Sequence, residues 1–189
     1  MQKSILALAF VATTGAAHAG EFDAAATAYI NDHVMAWATS PSVIAAVKAQ
    51  DAANAALTED QILAMDAAWR AEVSASAKPT IDPVMNNPIS SFLREQVAAS
   101  GGEIAEAFVM DNRGLNVATA ELTSDYWQGD EDKFTMTYPK GAGAMLIGDV
   151  EFDESSQLYT VQVSFTLVDP SDNTPVGAMT VSLNAEQIQ

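Results

Sequence analysis

Cysteine is absent from the 189 residues. The chain therefore has no disulfide, no thiolate nucleophile and no sulfur-based zinc site. Histidine is nearly absent: only His18 and His33 occur, and neither pairs at zinc-ligand spacing. Basic residues are scarce, 8 Lys and Arg against 25 Asp and Glu, for a formal charge of −17. Nucleic-acid phosphates are held by clustered Lys and Arg, so DNA and RNA are excluded as partners. Apolar runs are short; Ile5–Ala12 falls far below the roughly 20 residues that span a bilayer. No Gly-x-Ser-x-Gly elbow occurs. His33, alone in a helical pattern, lacks the positioned partner that acid–base catalysis requires. The residues read as a non-catalytic protein, with no cofactor implied.

What is present starts with “MQKSILALAFVATTGAAHA” (1–19). Lys3 gives a positive start, Ile5–Ala12 an apolar middle, and Ala17-His18-Ala19 the small-x-small pattern of a cleavage site. Residues 1–19 are expected to be a secretory signal peptide, leaving Gly20 first. That removes Lys3, moving the charge from −17 to −18, and leaves 170 residues (189 less 19). A chain of this size folds as one domain and buries about 70% of its unfolded surface without staples. The expected location is a bacterial periplasm or the exterior, with no membrane anchor after processing.

Residues 21–102 read as helices. Phe22, Ala26, Ile30, His33 and Trp37 recur at three- and four-residue steps. Ser40-Pro41 is an N-cap followed by proline, with Val43, Ile44 and Val47 as the apolar stripe. In “LTEDQI” (57–62), Thr58 and Gln61 form a capping box that Leu57 and Ile62 staple. Ile62, Met65, Trp69 and Val73 share the face that follows. Two prolines break “KPTIDPVM” (78–85), and Asn87-Pro88 opens a last helix that Gly101-Gly102 ends.

From residue 104 the period becomes two. Strands are expected at 104–110, 115–118, 144–150, 158–168 and 176–184, with a turn at “DNRG” (111–114), a hairpin loop at 169–177 and a short helix near 130–138. The result is an α+β fold, N-terminal helices on a five-stranded antiparallel sheet spanning 104–184. In the fourth strand Tyr159, Val161, Val163, Phe165 and Leu167 point one way, and Thr160, Gln162, Ser164 and Thr166 the other. In the fifth, Gly177, Met179, Val181 and Leu183 oppose Thr180, Ser182 and Asn184. The first face is a core for helices. The second is polar but uncharged, which suits a small-ligand pocket or a solvated side.

“SDYWQGDEDKF” (124–134) sets two large aromatics against glycine and acids, a poor strand and an odd solvated loop. Its neighbours in order are “FVMDNRGLNVA” (108–118), “GDVEFDESSQLY” (148–159) and “VSFTLVDPSDNTPVGAMTVSLN” (163–184). This ordered set, after a helical half, resembles a Cache domain, the PAS-like extracytoplasmic sensor module, in its single form over residues 20–189. The resemblance implies a long N-terminal helix on a five-stranded antiparallel PAS-like sheet. It also implies a small-ligand pocket on the sheet's other face, covered by the segment between the second and third strands, here 119–143.

Under that resemblance Tyr126 and Trp127 are aromatic walls of the pocket, with Phe134 and Tyr138 adding to the same wall. Gln162, Ser164 and Thr180 supply polar contacts from the floor, and Asp125 accepts a hydrogen bond from a ligand amine. Gly129 turns the chain into a helix capped by Asp130, with Glu131 and Asp132 at its positive end. The Tyr-Trp pair is expected to act on ligand binding more than on folding; the alternative is a plug over a satellite core. Cache domains usually sit within a membrane receptor or kinase. With no second apolar run here, such a partner is expected as a separate chain. Two other readings stand beside this one: a protein-interaction module without a small ligand, and a metal-binding protein using the acids at 130–132 or 149–154. Neither acid cluster matches the calcium-loop pattern. Protein recovered from its native host is expected to begin at Gly20. N-terminal sequencing checks this, and an intact Met1 overturns the assigned location.

Overall fold

Ala26, Ile30, Val34 and Ala38 are fully buried at a constant step of four. A regular α-helix would drift off that face, so the chain makes a π-helical turn at Ile30–Val34, between α1 (Gly15–Tyr29) and α2 (Met35–Ala38). The extra residue turns His33 out of the expected stripe and into solvent, 4.8 Å from the Tyr29 ring. Trp37 becomes half-buried, edge-on to Phe92 at 6.3 Å. These observations come from a computed structural model that describes residues 15–154 and 156–188. Residues 1–14 of the expected leader lie outside it, and the expected cleavage point after Ala19 falls within the range of α1.

The helical layer continues with α3 (Pro41–Asn54), α4 (Glu59–Glu72), α5 (Ile81–Met85) and α6 (Pro88–Ala99). The start signals act where the sequence puts them. Gln61 N–H donates to Thr58 Oγ1 at 3.3 Å and Thr58 N–H to Gln61 Oε1 at 2.8 Å, a complete capping box. Ser90 N–H donates to Asn87 Oδ1 at 2.8 Å. Ser40 differs: it holds the N-cap position of α3 but makes no side-chain cap bond, and lies 3.2 Å from Ser42 Oγ.

The sheet comprises β1 (Ile104–Met110), β2 (Asn116–Thr119), β3 (Met145–Asp153), β4 (Leu158–Asp169) and β5 (Thr174–Asn184). All pairs are antiparallel, in the order β2-β1-β5-β4-β3. This is the α+β PAS-like arrangement expected. Cross-strand rows Val109–Met179–Phe165, Ala107–Val181–Val163 and Leu183–Val161 form the face under the helices, and every one of these side chains is nearly or fully buried. Tyr159 departs from expectation. It shares the phase of Val161 but is 52% exposed, because β4 outruns the helical cover at that end.

The “DNRG” turn is fixed by a buried carboxylate. Asp111, fully buried, accepts from Arg113 N–H at 2.8 Å, Leu115 N–H at 3.0 Å, Gln50 Nε2 at 3.1 Å and Asn54 Nδ2 at 2.9 Å. Asp51, on the same helix, accepts from Asn112 N–H at 2.8 Å. Its carboxyl is pushed up from 3.8 to about 6, chiefly by burial and further by the charge of Asp111, against the pull of the Asn112 bond. A raised folded-state pKa means that the proton stabilises the fold. That contribution is complete below about pH 4 and is lost as pH rises through about 6. Asp51→Asn keeps the acceptor and drops the charge. It is expected to raise the melting temperature by a few degrees at pH 7 and leave it unchanged near pH 4, as melting curves across that range will check. Equal shifts at both pH values would exclude this origin.

Candidate functional site

The sheet's second face changes character along its length. Met110–Ala178–Thr166 and Phe108–Thr180–Ser164 are adjacent rows, followed by Glu106–Ser182–Gln162 and then Asn184–Thr160–Glu151. The segment between β2 and β3 crosses the first two rows and leaves the others open. It contains a single helical turn, α7 (Asp132–Thr135), and a 3-10 turn at Tyr138–Lys140. Phe134 and Tyr138 stack at 5.5 Å and pack on Phe108, Met110 and Ala178. They are stacked together, but against the sheet rather than on a wall shared with Tyr126 and Trp127, they line neither cavity of the groove, and Tyr138 lies on the 3-10 turn rather than on the helix of Phe134. Under this cover Ser164 and Thr180 are buried, and their hydroxyls bond each other at 2.9 Å. That pairing satisfies both groups away from water.

Beyond the lid the face opens into a groove. One cavity of about 390 Å³ is lined by Glu106, Phe108, Thr123, Gln128, Lys133 and Gln162. A second of about 360 Å³ runs to Asp149, Glu151, Thr160 and Ser182, and the two share Glu106, Asp153 and Gln162. Gln162 is exposed on the groove floor, on the polar sheet face. Glu106 is central. Burial pushes its carboxyl above the usual range; Lys133 and a 3.3 Å bond from Ser182 Oγ pull it back, while Asp153 and Glu121 push it further up. Lys133 Nζ reaches Glu131 at 2.9 Å and Gln128 Oε1 at 3.2 Å, and lies 5.5 Å from the Phe108 ring centre. Asp153 accepts from Ser156 N–H at 3.2 Å and Ser156 Oγ at 2.6 Å. The site thus offers carboxylates at the floor and far wall, one ammonium at the lid edge, and an aromatic side.

Tyr126 and Trp127 stand elsewhere, and the structure corrects their expected place. They pack on the helical layer, in a cluster with Ile62, Trp69, Ile81, Val84 and Leu115. Tyr126 is 5% exposed and stacks on Trp69 at 5.3 Å. The N–H groups of Tyr126 and Trp127 both donate to Asp66 Oδ1, at 2.9 and 3.0 Å, and Trp127 Nε1 donates to the Arg113 carbonyl at 2.8 Å. Asp125 is engaged too: its carboxylate meets Arg70 Nε at 2.7 Å and accepts from Ser124 Oγ at 2.7 Å. Gly129 is required by close approach rather than by a left-handed turn, since a Cβ there would sit 2.7 Å from the Arg113 carbonyl oxygen. Asp130 does not cap α7. Glu131 holds the N-cap position, without a side-chain cap bond.

Sequence reasoning missed Glu106, Lys133 and Asp153. A signal existed for the first: Glu106 shares the two-residue phase of Phe108 and Met110, a charge facing inward on an otherwise apolar strand. Lys133 and Lys140 are the only bases after Arg113, which marks them against so acidic a background.

No family model matches the chain, and no curated protein matches it. Among the solved structures similar to part of the chain are two sensor domains. The sensory domain of the Campylobacter jejuni chemoreceptor Tlp3 with isoleucine bound shares 11% identity over 89% of this chain and 64% of that chain, with a TM-score of 0.41. The sensor domain of the V. cholerae histidine kinase DctB shares 14% identity over 91% of this chain and 55% of that chain, also at 0.41. The chain spans less than two thirds of the length of either.

The packing of the Tyr-Trp pair makes it structural. Tyr126→Ala is expected to cost about 3–5 kcal/mol of stability, and Asp66→Ala about 2–3 kcal/mol by orphaning two N–H groups. Urea unfolding will measure both, and an unchanged Tyr126→Ala midpoint would return the pair to the binding site.

Proposed function

We propose that the chain is an exported, non-catalytic Cache-type sensor module whose groove binds a small metabolite bearing a positively charged group. The observation that carries the reading is the groove over the open half of the polar sheet face, with Glu106 at its centre. Pockets of this kind are concave, of a few hundred Å³, with few convergent polar groups. Here the ligand's cation meets Glu106, with Asp153 and Glu151 behind it, and Gln162 and Ser182 bond its polar atoms. Phe108 gives an apolar side, and Lys133 meets an acceptor on the ligand. Phe134 and Tyr138 of the lid pack on the sheet beside the groove, over the buried Ser164–Thr180 pair. A separate membrane receptor, kinase or transport protein reads the bound state. The uncharged strand face and the expected leader support this reading at the level of sequence.

Thermal melting of the purified protein against a panel of amines, amino acids and simple carboxylates tests it. A ligand at about 100 times its Kd adds roughly 2.7 kcal/mol, a rise of about 5–10 °C for a chain of this size. Glu106→Gln is expected to weaken binding about tenfold or more with little change in unliganded melting. Affinity is expected to fall as pH drops through the raised pKa of Glu106, because the cation prefers the ionised carboxylate. Stabilisation by uncharged or anionic compounds alone would reverse the assigned charge, and stabilisation by none would leave a module without a small ligand.

A further inference from the structure

The outer edge of the sheet carries a second surface. β3 is last in the strand order, so among the described residues no strand lies on its outer side. Its register sets Val150 opposite Val161 and Phe152 opposite Tyr159, on the apolar side of the sheet. Val161 is fully covered, but Val150, Phe152 and Tyr159 are 46, 49 and 52% exposed. The Phe152 and Tyr159 rings meet at 5.3 Å, tilted by 62°. Asp149 and Glu151, at the alternate positions, line the groove on the other side, and Phe152 reaches its rim. The strand therefore shows apolar side chains on one face, acids on the other, and backbone groups along its edge.

Such an edge is a template for a further strand. Charge selects what that strand is. Antiparallel pairing with a second copy about Glu151 sets glutamate on glutamate and Asp149 on Asp153, on chains that already carry −17 each. Acids alone would suffice to block the edge, but they do not account for three large apolar side chains left open beside them.

We propose that β3 docks an extended segment of a partner protein as a sixth strand. That segment has apolar residues at alternate positions, level with Val150 and Phe152, and Lys or Arg between them, level with Asp149 and Glu151. The added strand closes the outer side of the groove, because those same acids line it. The proposal rests on the geometry of β3 and not on the ligand reading.

The probe is a fluorescent peptide of about nine residues, a usual strand length, alternating valine and lysine. Anisotropy with the full chain is expected to show binding that weakens about tenfold or more as salt rises from low to about 0.5 M. Hydrogen exchange of the outward-facing amides of 145–153, those not bonded to β4, is expected to slow when the peptide is added. Val150→Thr with Phe152→Thr, and separately Asp149→Asn with Glu151→Gln, are each expected to weaken binding about tenfold with melting unchanged. A valine–glutamate peptide is expected not to bind. A valine–lysine peptide with a central proline should bind at least tenfold more weakly, because it cannot continue a ladder. Equal binding of the proline peptide would reduce the effect to bulk charge and overturn the proposal. So would outward-facing β3 amides, those not bonded to β4, that are already slow before peptide is added, which means that the chain fills its own edge. A dimer in sedimentation that Phe152→Thr dissociates would assign the edge to a second copy instead.

Discussion

The lid depends on one carboxylate oxygen. Asp66 Oδ1 accepts from two successive backbone N–H groups, those of Tyr126 and Trp127, while its Oδ2 meets Arg70 at 2.7 Å. Asp66 is 4% exposed, so both N–H groups would otherwise be buried without a partner, at about 1–3 kcal/mol each. Arg70 lies one turn on and reaches Asp125, and Trp69 Nε1 donates to the Thr123 carbonyl at 2.9 Å. Three positions on α4 thus hold four residues of the lid, Thr123 and Asp125–Trp127. The first half of the lid is tied to the helical layer and the second half to the sheet. Between them the chain passes Gly129, whose backbone packs directly against Gly114 of the β1–β2 turn. Thr123 and Gln128, which wall the groove, sit in or next to the part held by α4.

A second constraint is one of length. β4 has 12 residues and β5 has 11, and neither cover reaches the end of them. On the helix side the shortfall exposes Tyr159, with Phe152 beside it. On the lid side it leaves the Glu106–Ser182–Gln162 row open. One mismatch between strand length and cover thus accounts for both the groove and the bare edge of β3.

Much of this was legible in the sequence where local chemistry decides the structure. The Thr58–Gln61 capping box, the Asp111–Gly114 turn, the five strands and the buried phase of Val161, Val163 and Phe165 all follow from short-range pattern. What failed was set by long-range packing. The π turn at Ile30–Val34 leaves no mark in composition; it shows only as burial at four-residue steps. Tyr126 and Trp127 looked like pocket walls because a long irregular segment tends to carry function. Their ring faces are instead claimed by Trp69 and Leu115, and the partner that fixes them, Asp66, lies 60 residues earlier. No pattern within the motif points to it.

The charge of the site escaped for a related reason. The polar rows read from β4 and β5 are uncharged, but only Thr160, Gln162 and Ser182 of them line the groove, while the expected contacts Ser164 and Thr180 are buried under the lid and bonded to each other. The carboxylates come from strands on either side, Glu106 from β1 and Glu151 and Asp153 from β3, and they converge only through the order β1-β5-β4-β3. Lys133 is the one base among the residues that line the two cavities. It pulls the pKa of Glu106 down while it is paired to Glu131, so it favours the ionised form of Glu106 without reversing the sign of the groove. Strand order, more than composition, makes an uncharged floor into an acidic site.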